Sequence, residues 1–206
     1  VTINNATVTM IAGSPNQINA ANAITINGGG ALNFWGNHTQ NGLLTFGNSG
    51  GAVNPTYRTQ SVTSNNSATV ANGTTLTLSG TNSTLGLAVG MPVTGTNIPA
   101  GTTVAAILSG TQVQLSQPAT AAAGDVTVTF GSTLTLNNDI TSTSDSLATF
   151  PLLSVSTSGR IDIGAANRTI TTNGNATLAL ILPTMIGTTG GITKEGASGL
   201  RLDGFN

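Results

Sequence analysis

The segment GRIDIGAANRTITTNGNATLALILP, residues 159–183, contains three short runs in which apolar and polar residues alternate: RIDI (160–163), RTIT (168–171) and TLAL (177–180). A period of two is the side-chain period of a β-strand, so each run reads as a half-buried strand. In RIDI, Ile161 and Ile163 face inward while Arg160 and Asp162 face out. Working outward, TLTL (133–136) precedes the segment and GLRL (199–202) follows it. The same parity turns Leu200 and Leu202 inward and Arg201 and Asp203 outward. Inward pairs return after roughly 20 positions (Ile161/Ile163, Leu180/Leu182, Leu200/Leu202) with another strand between returns, which is the spacing of a solenoid.

Composition supports that reading. Only 5% of the 206 residues are charged, against roughly a quarter in an ordinary soluble domain, and aromatic residues make up 3%. Disorder pairs low hydrophobicity with high net charge, whereas this chain is 38% hydrophobic with a formal net charge of −1. Abundant Thr, Asn, Gly, Ser and Val favour strands and turns, so almost no helix is expected. A meander of hairpins would also alternate, but it favours tight Asn-Gly or Asp-Gly reversals. Parallel coils stack each strand on its equivalent at about 4.8 Å, where Thr on Thr, Asn on Asn and Leu on Leu are accommodated and like charges repel. The scarcity of charge thus has a structural reason.

Several function classes are disfavoured by the same numbers. Nucleic-acid binding needs clustered Lys or Arg, and the first basic residue along the chain is Arg58. No stretch approaches the roughly 20 apolar residues of a membrane span. Residues 1–10 lack the basic start and apolar run of a signal peptide, and zero cysteines remove disulfide and thiolate chemistry.

Four of the eleven charged residues, Lys194, Glu195, Arg201 and Asp203, fall within residues 190–204, GGITKEGASGLRLDG. This stretch resembles the passenger-associated transport repeat of bacterial autotransporter passenger domains, through Gly190, Gly191, Ile192, Thr193, Lys194, Gly196, Gly199, Leu200, Leu202 and Gly204. The second glycine of the usual Gly-x-Gly step sits one place late, at Gly199, with Ser198 before it, which predicts a bulged corner. The resemblance extends strongly over residues 133–206 and loosely over 23–51. It implies an extracellular or surface-bound β-helix, often a stalk carrying adhesive or enzymatic decorations.

Between residues 74 and 131 the rhythm breaks. Gly90, Met91, Val93, Gly95, Ile98, Pro99, Ala100, Gly101, Thr102 and Val104 resemble the signature of a small β module found in phage tail fibres and large bacterial surface proteins. Its strands are expected at 75–79, 103–108, 112–116 and 126–130. The expected fold is therefore all-β: a right-handed parallel β-helix (β-solenoid) with an inserted small β-sandwich-like module, divided as residues 1–73, 74–131 and 132–206. The coils should number about seven and stack to roughly 35 Å. Open ends of such a stack recruit further strands, so the expected partners are a continuing chain or further copies stacked end to end, with a glycan or surface ligand as an additional partner.

Candidate chemical sites are sparse. GNSGG (47–51) satisfies Gly-x-Ser-x-Gly, but the only histidine, His38, lies upstream of Ser49 and no helical pattern follows, so a Gly-rich corner is the favoured reading. His38 sits in a polar string, WGNHTQNG, and is expected in a solvated loop; without Cys or clustered carboxylates it makes a poor metal site. Polysaccharide-cleaving β-helices need carboxylates on one face. Of Asp125, Asp139, Asp145, Asp162, Glu195 and Asp203, only Asp162 and Asp203 are expected to share a face, two coils apart, and Arg160, Lys194 and Arg201 should neutralise them across coils. Trp35 with Phe34, Tyr57 and Phe46 could form a sugar-stacking platform, with one of Phe34 and Trp35 buried. Glycosylation sequons occur at Asn5, Asn37, Asn65, Asn72, Asn82, Asn167 and Asn175. No catalytic, cofactor-binding or metal-ligating residue is expected. The sequence points to a non-enzymatic stalk segment or filament subunit, with an adhesin and a polysaccharide lyase or hydrolase as the alternatives. Few titratable groups predict a melting temperature nearly constant between about pH 4 and 8.

Overall fold

A computed structural model describes residues 1–10, 18–49, 53–69, 72–81, 84–155, 159–182, 185–186 and 190–203. Regular secondary structure among these residues is entirely β. Three sheets are purely parallel. The first runs Thr2–Asn4, Ile24–Asn27, Leu44–Asn48, Ile140–Ser144, Arg168–Asn173, Ile192–Glu195. The second runs Thr7–Thr9, Ala31–Trp35, Thr56–Gln60, Leu152–Ser154, Leu178–Leu182, Gly199–Leu202. The third has His38–Gln40, Thr133–Leu136, Arg160–Asp162 and Met185–Ile186 among the described residues. The chain visits first, second and third sheet in turn and returns one strand further along each time, a β-helix-like path.

The stacking columns account for the composition. On the outer side of the first sheet Thr2, Thr25, Thr45, Thr141 and Thr171 lie in register, one above another. On its inner side Ile24, Leu44, Ile140 and Ile170 form an aliphatic column, each at most 2% exposed. Like side chains at adjacent positions pack without mismatch, and hydroxyls tolerate one another where charges would not. Corners are held by Asn and Asp. The side-chain oxygen of Asn5 accepts from Gly29 N (2.8 Å), Asn37 from Thr133 N (2.8 Å), Asn54 from Phe150 N (2.9 Å), Asp139 from Thr169 N (2.8 Å), Asp145 from Asn175 N (2.9 Å) and Asn167 from Gly191 N (2.8 Å). Each bond ties a corner to the next circuit and satisfies a backbone donor that the ladders leave over.

Two expectations about the coils need correction. The first and second sheets hold six described strands each, so six coils at about 4.8 Å, roughly 29 Å, stand against the seven coils and roughly 35 Å expected. The return is also not a uniform 20 residues. Ile24 lies beside Leu44, a return of 20, but Ile140 lies beside Ile170, a return of 30. With three sheets per circuit, Ile161 belongs to the third sheet, beside Leu134 and Met185, while Leu180 pairs with Leu200 in the second. The inward parity of RIDI and TLALIL is as expected, with Ile161, Ile163, Leu180 and Leu182 all buried in one core cluster. Leu200 packs against that cluster, whereas Leu202 is exposed. The register shifts between Leu178 and Leu180 where they face Gly199 and Leu200, so the irregularity expected at the displaced glycine is present. A Cβ at Gly199 would run into the Thr177 carbonyl oxygen, which requires glycine there.

The chain leaves the parallel path once. A six-stranded antiparallel sheet is ordered Val93–Gly95, Ala123–Phe130, Val62–Thr69, Thr75–Thr77, Gln112–Leu115, Val104–Ile107. The strand Val62–Thr69 lies upstream of residue 74, so this sheet takes up more chain than the sequence suggests. It is one sheet curled on itself: a Pro92–Thr103 bridge links its two edge regions. Curling encloses a separate core of Leu76, Met91, Val93, Val104, Val113, Leu115, Val128 and Phe130 and leaves little open edge. The sheet is inserted between the second-sheet strand Thr56–Gln60 and the third-sheet strand Thr133–Leu136. His38 with Leu134, Leu44 with Ile140 and Thr56 with Leu152 are all 96 residues apart, so the parallel stacking resumes in step after the excursion.

At the junction, Gly36 (φ +79°) turns the corner where a Cβ would stand 2.8 Å from the Gly86 carbonyl oxygen of the inserted sheet's loop. The Asn37 carboxamide bridges the two parts, donating to Val89 O (3.3 Å) while accepting from Thr133 N.

Candidate functional site

The acidic residues are mostly engaged in holding the backbone. Asp139 and Asp145 are corner ties to the following circuit, and Asp162 accepts from Gly164 N at 2.8 Å. Asp203 pairs with Arg201 at 2.7 Å, an exposed contact of small energetic weight that raises the Arg201 pKa. Asp162 and Asp203 do not share a face: Asp162 is in the third sheet, whereas Asp203 follows the last strand of the second. Neutralisation between coils is likewise not what the bases do. Arg160 Nε donates to Thr133 Oγ1 (3.1 Å), Arg168 Nε to Ile163 O (3.1 Å) and Lys194 Nζ to Gly196 O. Among the described residues, no cluster of three His, Asp or Glu side chains could hold a metal ion. Asp125 has no described side chain.

His38 is not in a solvated loop. It occupies the inward column of the third sheet, in register with Leu134, and is 2% exposed. Its ring stacks on Phe34 at 3.9 Å between centroids with a 16° interplanar angle, and Tyr57 lies 5.2 Å from Phe34 and 6.2 Å from His38. Burial pushes the His38 imidazole down to about 4, with Gln40 opposing in part. Burial also raises the Tyr57 hydroxyl well above its ordinary value. Neither ring nitrogen of His38 meets hydrogen-bonding geometry, nor do the buried hydroxyls of Tyr57, Thr59 and Ser132. Gln40 Nε2 is held by Asn22 O and Gly42 O, both at 2.8 Å. A lowered His38 pKa predicts, against the expectation of a pH-independent melting temperature, a stability that falls toward acid.

The aromatic platform does not assemble. Phe34, Phe46 and Tyr57 are buried, and Trp35 alone of the four is exposed, at 37%. Ser49 is exposed in the bend that follows strand Leu44–Asn48, and Gly50 and Gly51 of the GNSGG pattern lie outside the described residues. Ser49 does line an open groove of about 220 Å³ together with Asn27, Gly47, Asn48, Thr143 and Asp145. The groove exists because of Gly47. In the outward row Asn27, Gly47, Thr143, Asn173, the glycine leaves a gap in a line of side chains. Asn27 Nδ2 donates to Asn4 Oδ1 at 2.9 Å, so its carboxamide oxygen faces the gap, and a Cβ at Gly47 would run into that oxygen. Asn48 has the inward parity of its strand and is pinned from within, Nδ2 donating to Thr149 O at 2.6 Å. The sequence pattern that drew attention to Ser49 thus marks a real depression, though for a different reason: the informative residue is the glycine two places earlier.

Comparison with known proteins adds little to this geometry. No family model matches the chain. No curated protein matches it either. A solved structure with some similarity is the Gp54 tailspike of Acinetobacter baumannii bacteriophage AP22, determined in complex with A. baumannii capsular saccharide. The alignment has 10% identity and a TM-score of 0.28, and covers 82% of this chain and 39% of the tailspike chain. Among the described residues no helix is long and apolar enough to cross a membrane.

Proposed function

We propose that this chain is a non-enzymatic, extracellular structural element: a right-handed parallel β-solenoid serving as a stalk segment or as a subunit that stacks end to end, with the antiparallel sheet of residues 62–130 as its decoration. The observation that carries the reading is the unbroken Thr2–Thr25–Thr45–Thr141–Thr171 column beside the Ile24–Leu44–Ile140–Ile170 column. Every interior circuit is hydrogen-bonded to a neighbour on both sides, so bending the stack means breaking ladders in several sheets at once. Right-handedness follows from the strong preference of parallel crossover connections for that hand. Among the described residues, strands Thr2–Asn4 and Thr7–Thr9 at one end, and Ile192–Glu195 and Gly199–Leu202 at the other, have a partner on one side only, which suits a longer chain or a second copy. The likeness of residues 190–204 to the autotransporter repeat supports the surface location. The engagement of Asp139, Asp145 and Asp162 by backbone donors favours structure over hydrolysis or lyase chemistry.

An adhesive role is the second reading, favoured by Leu85, Val89 and Leu108 of the inserted region, which are 60%, 60% and 50% exposed. Electron microscopy of the purified chain over a range of concentrations tests the first reading. Rods that lengthen with concentration are expected of a self-stacking subunit, and compact particles one stack (under about 30 Å) long at every concentration are expected of a stalk segment; disordered threads or amorphous clusters would overturn both.

A further inference from the structure

We propose that the gap at Gly47 is a subsite for one neutral sugar residue of a glycan. This goes beyond the structural role, and the rod could exist without it. The groove lies on the outer side of the first sheet, where Asn27, Thr143, Ser49 and Asp145 present a carboxamide oxygen, two hydroxyls and a carboxylate around a floor that has no side chain. Its volume of about 220 Å³ is below the roughly 300–1,000 Å³ of pockets for drug-sized ligands, and matches a single ring rather than a peptide segment. Most of the accessible lining is carbon, and the polar groups set in it include two oriented acceptors. Asn27 is turned by its bond to Asn4 so that its oxygen faces inward to the gap, and Asp145 already holds Asn175 N through Oδ1, which fixes the orientation of its carboxylate. Groups of this kind pair with the hydroxyl donors of a pyranose or the N–H of an acetamido sugar, and a carboxylate partner gives the stronger charge-assisted bonds. The same carboxylate repels an acidic sugar. Among the described residues no aliphatic or aromatic side chain lines the groove, which disfavours an apolar peptide side chain, and no lysine or arginine lines it, which disfavours a phosphate.

Gly47 is also the position at which the proposal can be broken without breaking the fold. Its φ is not in the left-handed region, and the atom that a Cβ would meet is the end of the flexible Asn27 side chain, so Gly47→Thr fills the gap while continuing the threonine and asparagine rows. Asp145→Asn keeps an oxygen for Asn175 N and removes the charge.

Saturation-transfer NMR with the methyl glycosides of glucose, galactose, mannose and N-acetylglucosamine, and with N-acetylneuraminic acid as the acidic probe, tests it on the whole chain. At least one neutral glycoside should give transfer with the wild type, and the acidic probe none. Gly47→Thr should abolish the signal with an unchanged melting curve, and Asp145→Asn should weaken the neutral ligand about tenfold, the scale of one charge-assisted bond. Absence of transfer from all four neutral probes, equal transfer from the acidic one, or full binding by Gly47→Thr would overturn the assignment. Should Gly47→Thr melt lower than the wild type, Asp145→Asn decides: unchanged affinity in that variant overturns it.

Discussion

The parallel body and the inserted antiparallel sheet are built from nearly the same residue types, yet their order is specified in different ways. In the body, neighbours in a column are 20 to 30 residues apart in sequence, or 96 across the insert, and corners are tied by Asn and Asp side chains reaching into the next circuit. In the insert, Ala68 pairs with Thr77 and Val104 with Leu115 across short connections, Val62 pairs with Phe130 where its two ends meet, and Thr102 Oγ1 donates to Pro99 O (2.7 Å) in the turn that leads into Val104. The body depends on agreement between distant strings. The insert depends on a contiguous one, and its signature residues Met91, Val93 and Val104 are its own buried core.

The contrast makes a large prediction first. Phe34→Ala removes the ring that touches both His38 and Tyr57 and leaves a cavity in the body's core, a loss of about 4 kcal/mol. Chemical denaturation should show the body's transition moving while the insert, whose core cluster shares no residue with the body's, changes less. Equal displacement of every probe would mean the two parts unfold as one.

The next effect is set by pH. His38 folds with its pKa lowered from 6.5 to about 4, so between those values the unfolded chain binds more protons than the folded one. Stability is therefore complete above about pH 6.5, falls as pH drops toward 4, and levels off below; the full loss is about 3 kcal/mol at 1.36 kcal/mol per unit. Thermal melts of wild type and His38→Leu across pH 4 to 7 should diverge toward acid, the variant staying flat. Parallel curves would show that His38 does not govern the acid response.

The smallest effect concerns the corners. Asp139→Ala should cost about 1 kcal/mol by stranding Thr169 N, and Asp139→Asn should restore nearly all of it, because what the corner uses is an oxygen and not a charge. Equal losses in urea for both variants would assign the effect to electrostatics instead.

These regions also differ in how far they could be read before folding. The parity of RIDI and TLALIL was visible because flanking Arg, Asp and Thr mark the outward face, and the threonine ladders follow from composition. The unequal returns were not, since Gly and Asn corners absorb extra residues without altering the strands on either side. His38 was the main failure. Its neighbours Asn37, Thr39 and Gln40 are polar, and its burial is imposed by Phe34, by Tyr57 and by Leu134 a full 96 positions away. One signal did exist: HTQNGLLTFGN (38–48) and LTLNNDITSTS (134–144) share a strand, an Asn corner and a second strand at identical spacing, which places His38 where Leu134 stands. The groove was equally hidden, because a missing side chain is informative only once the rows above and below it are known.

The constant offset of 96 residues has an implication for what such a scaffold tolerates. Gln60 sits beside Trp35 and Thr133 beside Asn37, so the excursion departs and re-enters only two positions apart along the adjacent circuit. That corner behaves as a socket: it asks of an inserted segment only that the two tails emerge side by side, so a different insert can be exchanged for this one without rewinding the coils.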